Sequence, residues 1–132
     1  MMQAFDWQSS SLEGGWWDHL SETLPGLAKQ VGASHVWLPP FTRSVSKEGY
    51  MPTQLYDLNS RYGTQASLER LLQLLSEAGL VPVADIVINH RSADAKDAEG
   101  FYNVFLDLVD HPGRSIAWDA SAITREDGPG GY

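Results

Sequence analysis

One run, Val81-Pro82-Val83-Ala84-Asp85-Ile86-Val87-Ile88-Asn89-His90, limits the folds open to this chain more than any other feature. It is apolar and mostly β-branched, it follows Gly79, and it ends abruptly in polar residues. Such a run predicts a strand buried on both faces, of the kind found in parallel sheets covered by helices. Asp85, Asn89 and His90 then lie toward its carboxyl end, where α/β folds bind ligands and carry out chemistry.

The upstream pattern agrees. Residues 3–7 read as a short first strand. Trp17, Leu20, Leu24, Leu27 and Val31 recur at spacings of three and four, a helical stripe. Pro25 falls inside it, which predicts a break near Thr23-Leu24 and a second helical segment from Pro25 to Val31. Gly32 is placed to cap that segment. Residues 34–38 form a second strand, stopped by Pro39-Pro40. Ser67 can cap a helix over 68–78, with Glu69 in its first turn and Leu68, Leu71, Leu72, Leu75 and Ala78 on its buried face. Gly79 ends it. The order is βαβαβ, which implies a parallel sheet.

Residues 41–63 form a loop long enough to suggest function, and Tyr50, Tyr56, Tyr62, Leu55 and Leu58 argue against disorder there. After His90 the pattern dissolves. Residues 101–109 are apolar enough for one short element of undecided type. The end, Gly128-Pro129-Gly130-Gly131-Tyr132, reads as a cut rather than a finished fold.

A chain of 132 residues is long enough for one domain with a core. A closed eight-stranded α/β barrel needs roughly 200 residues or more. The net charge of −8 argues against nucleic acid or an anionic membrane surface as a partner. It suits a neutral substrate or a divalent cation, and equally simple solubility. With no cysteine, disulfides and thiol chemistry are excluded. No apolar run is long enough to span a bilayer, and the start lacks a signal-peptide pattern, so the expected location is cytoplasmic.

Several side chains could carry chemistry, each with a plainer alternative. Asp85 and Asn89 share strand parity and His90 has the opposite one, so a common site requires the strand to end or bend near residue 88. Otherwise Asp85 is a buried carboxylate satisfied by its neighbours, and Asn89 and His90 merely start a loop. Tyr50, in Gly49-Tyr50-Met51-Pro52, offers a flat apolar face and a hydroxyl suited to a sugar ring, or packs within its loop. The tryptophans read mostly as core. The carboxylates of residues 94–127 could serve a hard cation or remain solvated surface charge. Phosphate-loop, nucleophile-elbow and zinc-type histidine motifs are absent.

Three ordered segments resemble the α-amylase family of glycoside hydrolases, in wording closest to the plant-type members: His35-Val36-Trp37-Leu38-Pro39-Pro40, Gly49-Tyr50-Met51-Pro52 with Leu55-Tyr56-Asp57-Leu58, and Ala84-Asp85-Ile86-Val87-Ile88-Asn89-His90-Arg91. Phe5-Asp6-Trp7 and Gly14-Gly15-Trp16 fit too. The likeness is strong from about residue 3 to 92 and patchy beyond.

The resemblance implies an α/β fold: the first three strands of a TIM (β/α)₈ barrel over residues 1–90, then the start of a loop domain inserted after the third strand, 91–132. It implies retaining hydrolysis of α-1,4-glucans, with calcium as cofactor. By position, Tyr50 is the platform under the sugar at the cleavage subsite, His90 its hydrogen-bonding imidazole, and Met51 a cleft residue. Asp85 supports the site, while Asn89 and Asp127 match calcium ligands. A retaining glycosidase needs two carboxyl groups about 5 Å apart. The family's nucleophile and acid/base follow later strands, and no motif for them occurs here. The chain is therefore expected to bind α-glucan and to be inactive alone. The alternatives are a non-catalytic glucan-binding module and a half-barrel that self-associates through the exposed edge of its third strand.

Overall fold

The computed structural model describes residues 1–107 and 114–117. A parallel sheet is formed by β1 (Met2–Gln3), β2 (His35–Leu38) and β5 (Val81–Ala84), in the order β1-β2-β5. Helix α1 (Trp16–Gln30) connects the first pair, and α2 (Gln65–Glu77) precedes β5. Between β2 and α2 lies a small antiparallel pair, β3 (Arg43–Ser44) and β4 (Pro52–Gln54). A second antiparallel sheet holds β6 (Ala95–Lys96), β7 (Tyr102–Asp107) and β8 (Arg114–Ala117). The βαβαβ order is as the periodicity predicts. The 41–63 loop contains the β3–β4 pair, and the segment after His90 holds a sheet that its sequence pattern does not disclose.

Register decides what faces what. Gln3 pairs with Trp37 and Trp37 with Val83, so these residues share one face with Phe5 and Asp85. Val36 and Leu38 point the other way and are buried with Ala4 against Trp17, Leu20, Leu24 and Ala28 of α1 and Leu68, Leu71 and Leu75 of α2. Fully burying one such leucine stabilises by about 1.5–3 kcal/mol. The helices therefore cover one face of the sheet and leave the other to the site.

Several expectations are corrected. The first strand is Met2–Gln3 rather than 3–7, extended only by the Ala4 N–H donating to Trp37 O. Helix α1 does not break at Pro25 but runs through it. The Ser21 and Thr23 hydroxyls donate to the Trp17 and His19 carbonyls, four residues back. Such bonds open a helix slightly, which accommodates the proline ring. The Trp17-Leu20-Leu24-Ala28 stripe packed on α2 holds the two halves in one line, while Leu27 and Val31 are exposed. Helix α2 starts earlier than expected. Thr64, not Ser67, is its cap, accepting from the Ser67 N–H, and Glu69 lies beyond the first turn. Ala78 is its exposed C-cap, not part of the buried face.

Both helices end as glycine capping predicts. Gly32 and Gly79 have φ of +66° and +71°. Ala33 N–H reaches Ala28 O and Leu80 N–H reaches Leu75 O, each at 2.9 Å, the six-to-one bond of a Schellman motif.

The largest correction concerns the 81–90 run. Only Val81–Ala84 is strand, and it is an edge strand rather than one buried on both faces. Ile86 and Ile88 are 63% and 82% exposed. A run this apolar is buried only where further strands and helices flank it, and among the described residues none does.

Candidate functional site

The site lies at the carboxyl ends of the parallel strands and is built around Asp85. One carboxylate oxygen, Oδ2, accepts from Trp37 Nε1 at 3.2 Å and from the Tyr50 hydroxyl at 3.0 Å. Trp37 and Asp85 meet because the β2–β5 register sets them on one face. Tyr50 arrives from the loop between β3 and β4. Its delivery depends on Gly49, whose φ is +92° and where an added Cβ would fall 2.7 Å from Pro40 O. Phe5 and Trp7 complete the wall. Phe5 meets Trp37 edge-on at 5.2 Å, and Trp7 meets Tyr50 at 6.0 Å.

His90 comes to the same place. Its Nε2 lies 2.7 Å from Tyr50 O. A carbonyl oxygen can only accept, so Nε2 carries the proton. That leaves Nδ1 to accept from the Asn89 side-chain amide at 3.0 Å. Opposite strand parity would have separated Asn89 and His90, but the strand ends at Ala84 and the following backbone is free to bring them together. Met51, exposed, is held by its N–H donating to Ser44 Oγ and by its carbonyl accepting from Val45 N–H. Tyr50, His90 and Asp85 are thus brought together, with Asn89 and Met51 beside them.

The electrostatics follow from this packing. Burial, then the hydrogen bond to Asp85 and that carboxylate's charge, push the Tyr50 phenol up to about 12. Tyr62, fully buried beneath the loop with its hydroxyl donating to Glu48 O, is also raised, first by burial. Asp57 anchors the far end of the same loop. Burial works to raise its carboxyl, but the Asn59 backbone and side-chain donors and Arg43 outweigh burial and lower it.

Calcium takes six to eight oxygen ligands. Among the described residues no group of three or more His, Asp or Glu is placed to hold a metal, and Asn89 turns its amide nitrogen toward His90. These residues by themselves do not fit a calcium ion. Asp127 lies outside the described residues.

Three participants are not apparent in the sequence reading. Trp37 and Trp7 pass there for core, yet Trp7 is 65% exposed. The shared face of Trp37 and Asp85 is legible only once the register is known. Arg91, next to His90, donates from Nε to Thr53 O at 2.6 Å and covers the Phe105 ring at 5.1 Å.

A parallel sheet with helices on one face and an aromatic–carboxylate cluster at its carboxyl ends is the arrangement of part of a (β/α)₈ barrel, and solved structures that resemble it are glycoside hydrolases. Solved structures of that class superimpose on it. Bacillus licheniformis trehalose-6-phosphate hydrolase matches with a TM-score of 0.57 and 26% identity, over 69% of this chain and 17% of that one. An α-amylase from Malbranchea cinnamomea matches with a TM-score of 0.51 and 30% identity, over 58% and 18%. The profile of the α-amylase catalytic domain covers residues 6–111, and the chain belongs to the α-amylase family. Its relatives include probable α-amylase 2 of Arabidopsis thaliana, 38% identical over 94% of this chain, and the chloroplastic α-amylase 3 of the same plant, 39% identical over 96%. The chain spans 28% and 13% of the lengths of these two relatives.

Proposed function

We propose that this chain forms the substrate-binding front of a retaining glycoside hydrolase acting on α-1,4-glucans, and that alone it binds glucan without cleaving it. The observation that carries the reading is Tyr50, held by Asp85, beside His90 at the carboxyl end of the parallel sheet. A phenol ring fixed by a hydrogen bond gives a sugar a flat surface at little cost in ordering. The imidazole supplies a polar contact next to it, and Met51 extends the cleft. Residues 1–90 belong to the barrel in this reading, and 91–132 to an inserted region.

The expectation of inactivity rests on the sequence, which carries no motif for the family's nucleophile or acid/base, and the described aspartates near the site have structural partners. Asp6 caps the Ser9–Ser11 turn, Asp57 holds Arg43 and Asn59, and Asp85 holds Trp37 and Tyr50. Asp94 accepts from Gln54 and Leu106. Retaining hydrolysis needs a nucleophile and an acid about 5 Å apart on either side of the glycosidic bond. Titration calorimetry with maltoheptaose is the direct test. Binding by the pure chain and at least a tenfold loss in Tyr50→Ala are expected. Release of reducing sugar from starch would overturn the claim of inactivity, and absence of binding would overturn the site.

Calcium belongs to this proposal only for the whole enzyme, in which further ligands would complete a shell around Asn89 and Asp127. A thermal midpoint that rises with calcium but not magnesium would support it. The open edge of β5 favours a second reading, self-association, with Ile86 and Ile88 as the exposed apolar surface.

A further inference from the structure

We propose that Arg91 is a positioning residue that acts through His90 and couples the antiparallel sheet β6–β8 to the sugar-facing imidazole; this rests on the glucan-binding reading above.

His90 is exposed and lies in irregular backbone after an edge strand, so its own packing does not hold it. Three bonds tie residues 90–92 to the Tyr50 loop. His90 Nε2–H donates to Tyr50 O at 2.7 Å, Arg91 Nε–H to Thr53 O at 2.6 Å, and Ser92 N–H to Pro52 O at 2.8 Å. They form a short zipper along β4. Arg91 is the member that also leaves it, its guanidinium stacking over Phe105 of β7 at 5.1 Å. A planar guanidinium can donate along its edge while presenting its face to a ring, which an ammonium cannot do. Phe105 is 6% exposed, so the stacking partner is itself fixed in the core of the second sheet.

The consequence is directional. With Arg91 in place, the peptide before it is fixed and the His90 ring sits where Tyr50 O selects the Nε2–H tautomer. With Arg91 removed, the imidazole keeps its neighbours in sequence but loses the anchor one residue away, and both ring orientations become accessible. The order of β6–β8 thereby reaches the Tyr50–His90 pair through Arg91.

The test has two independent readouts in the full chain. Nitrogen-15 NMR of the imidazoles should show a single Nε2–H tautomer for His90 in the wild type and an averaged signature in Arg91→Ala. Maltoheptaose affinity should fall about five- to tenfold in Arg91→Ala, while the same substitution in a His90→Ala background should cost almost nothing further. Equal losses in both backgrounds would mean that Arg91 does not work through His90. A single unchanged tautomer in Arg91→Ala would likewise overturn the proposal. If the wild type binds no glucan, the glucan-binding reading fails and the tautomer measurement still decides the role of Arg91. Should Arg91→Ala not fold by near-ultraviolet circular dichroism, Arg91→Lys carries the same comparison, with partial averaging expected and an unchanged single tautomer again overturning it.

Discussion

Tyr50 shows how much one side chain depends on the residue before it. Gly49 combines a left-handed φ of +92° with a Cβ position 2.8 Å from Pro40 Cβ, so any other residue is strained twice over. Gly49→Ala should destabilise by about 1–3 kcal/mol in urea denaturation, and it should weaken glucan binding by displacing Tyr50. The phenol itself gives a pH signature. Its value rises from 10.0 to about 12, so the protonated form is preferred in the folded state. The stability this contributes is fully present below pH 10 and is lost as pH rises through about 12. A phenolate absorbance titration should show two late tyrosines, Tyr50 and Tyr62, of which Tyr50 moves part of the way back in Asp85→Asn while its burial remains. Little of this is legible in the chain. Asp85 and Tyr50 are 35 positions apart, and the hydrogen bond between them exists only because the loop after β2 folds back over the strand ends.

Among the elements, α1 is where local rules and packing disagree. Proline costs roughly 3 kcal/mol in a helix interior, and the periodicity reading accordingly divides the helix there. The apolar stripe on α2 outweighs that cost. Pro25→Ala should therefore raise stability by about 1–3 kcal/mol, measured as a shift of the urea midpoint, since it restores an N–H and removes the ring clash while the proline's restraint on the unfolded chain is given up. A drop in stability would mean that the proline's restraint on the unfolded chain outweighs its cost in the helix. Where propensity and packing agree, the sequence reading holds without adjustment. Gly32 and Gly79 end α1 and α2 as expected, because the left-handed φ at a C-cap is a local requirement.

At the scale of the molecule, β5 is an edge strand among the described residues, and the proposed self-association would start from it. Val81 N–H and Asp85 N–H point to β2, so Pro82 and Ala84 direct their backbone groups outward. Pro82 has no N–H to offer, which blunts the edge as a template for another strand. Association should then run through exposed side chains rather than backbone pairing. In sedimentation velocity, Ile86→Lys/Ile88→Lys should abolish concentration-dependent association of the wild type. Persistence of the larger species in that variant would point to backbone pairing instead.

The linear order of residues determines by itself the βαβαβ succession of the parallel unit, its glycine helix ends and the segments that carry the family resemblance, because each depends on neighbours within a few positions. Tertiary structure alone decides that α1 runs through Pro25, that the 81–90 run is a four-residue edge strand, that a second sheet follows, and that Trp37, Tyr50, Asp85 and His90 share one rim. These outcomes depend on which surfaces meet and on the register of paired strands, and both are set by contacts between residues far apart in the chain.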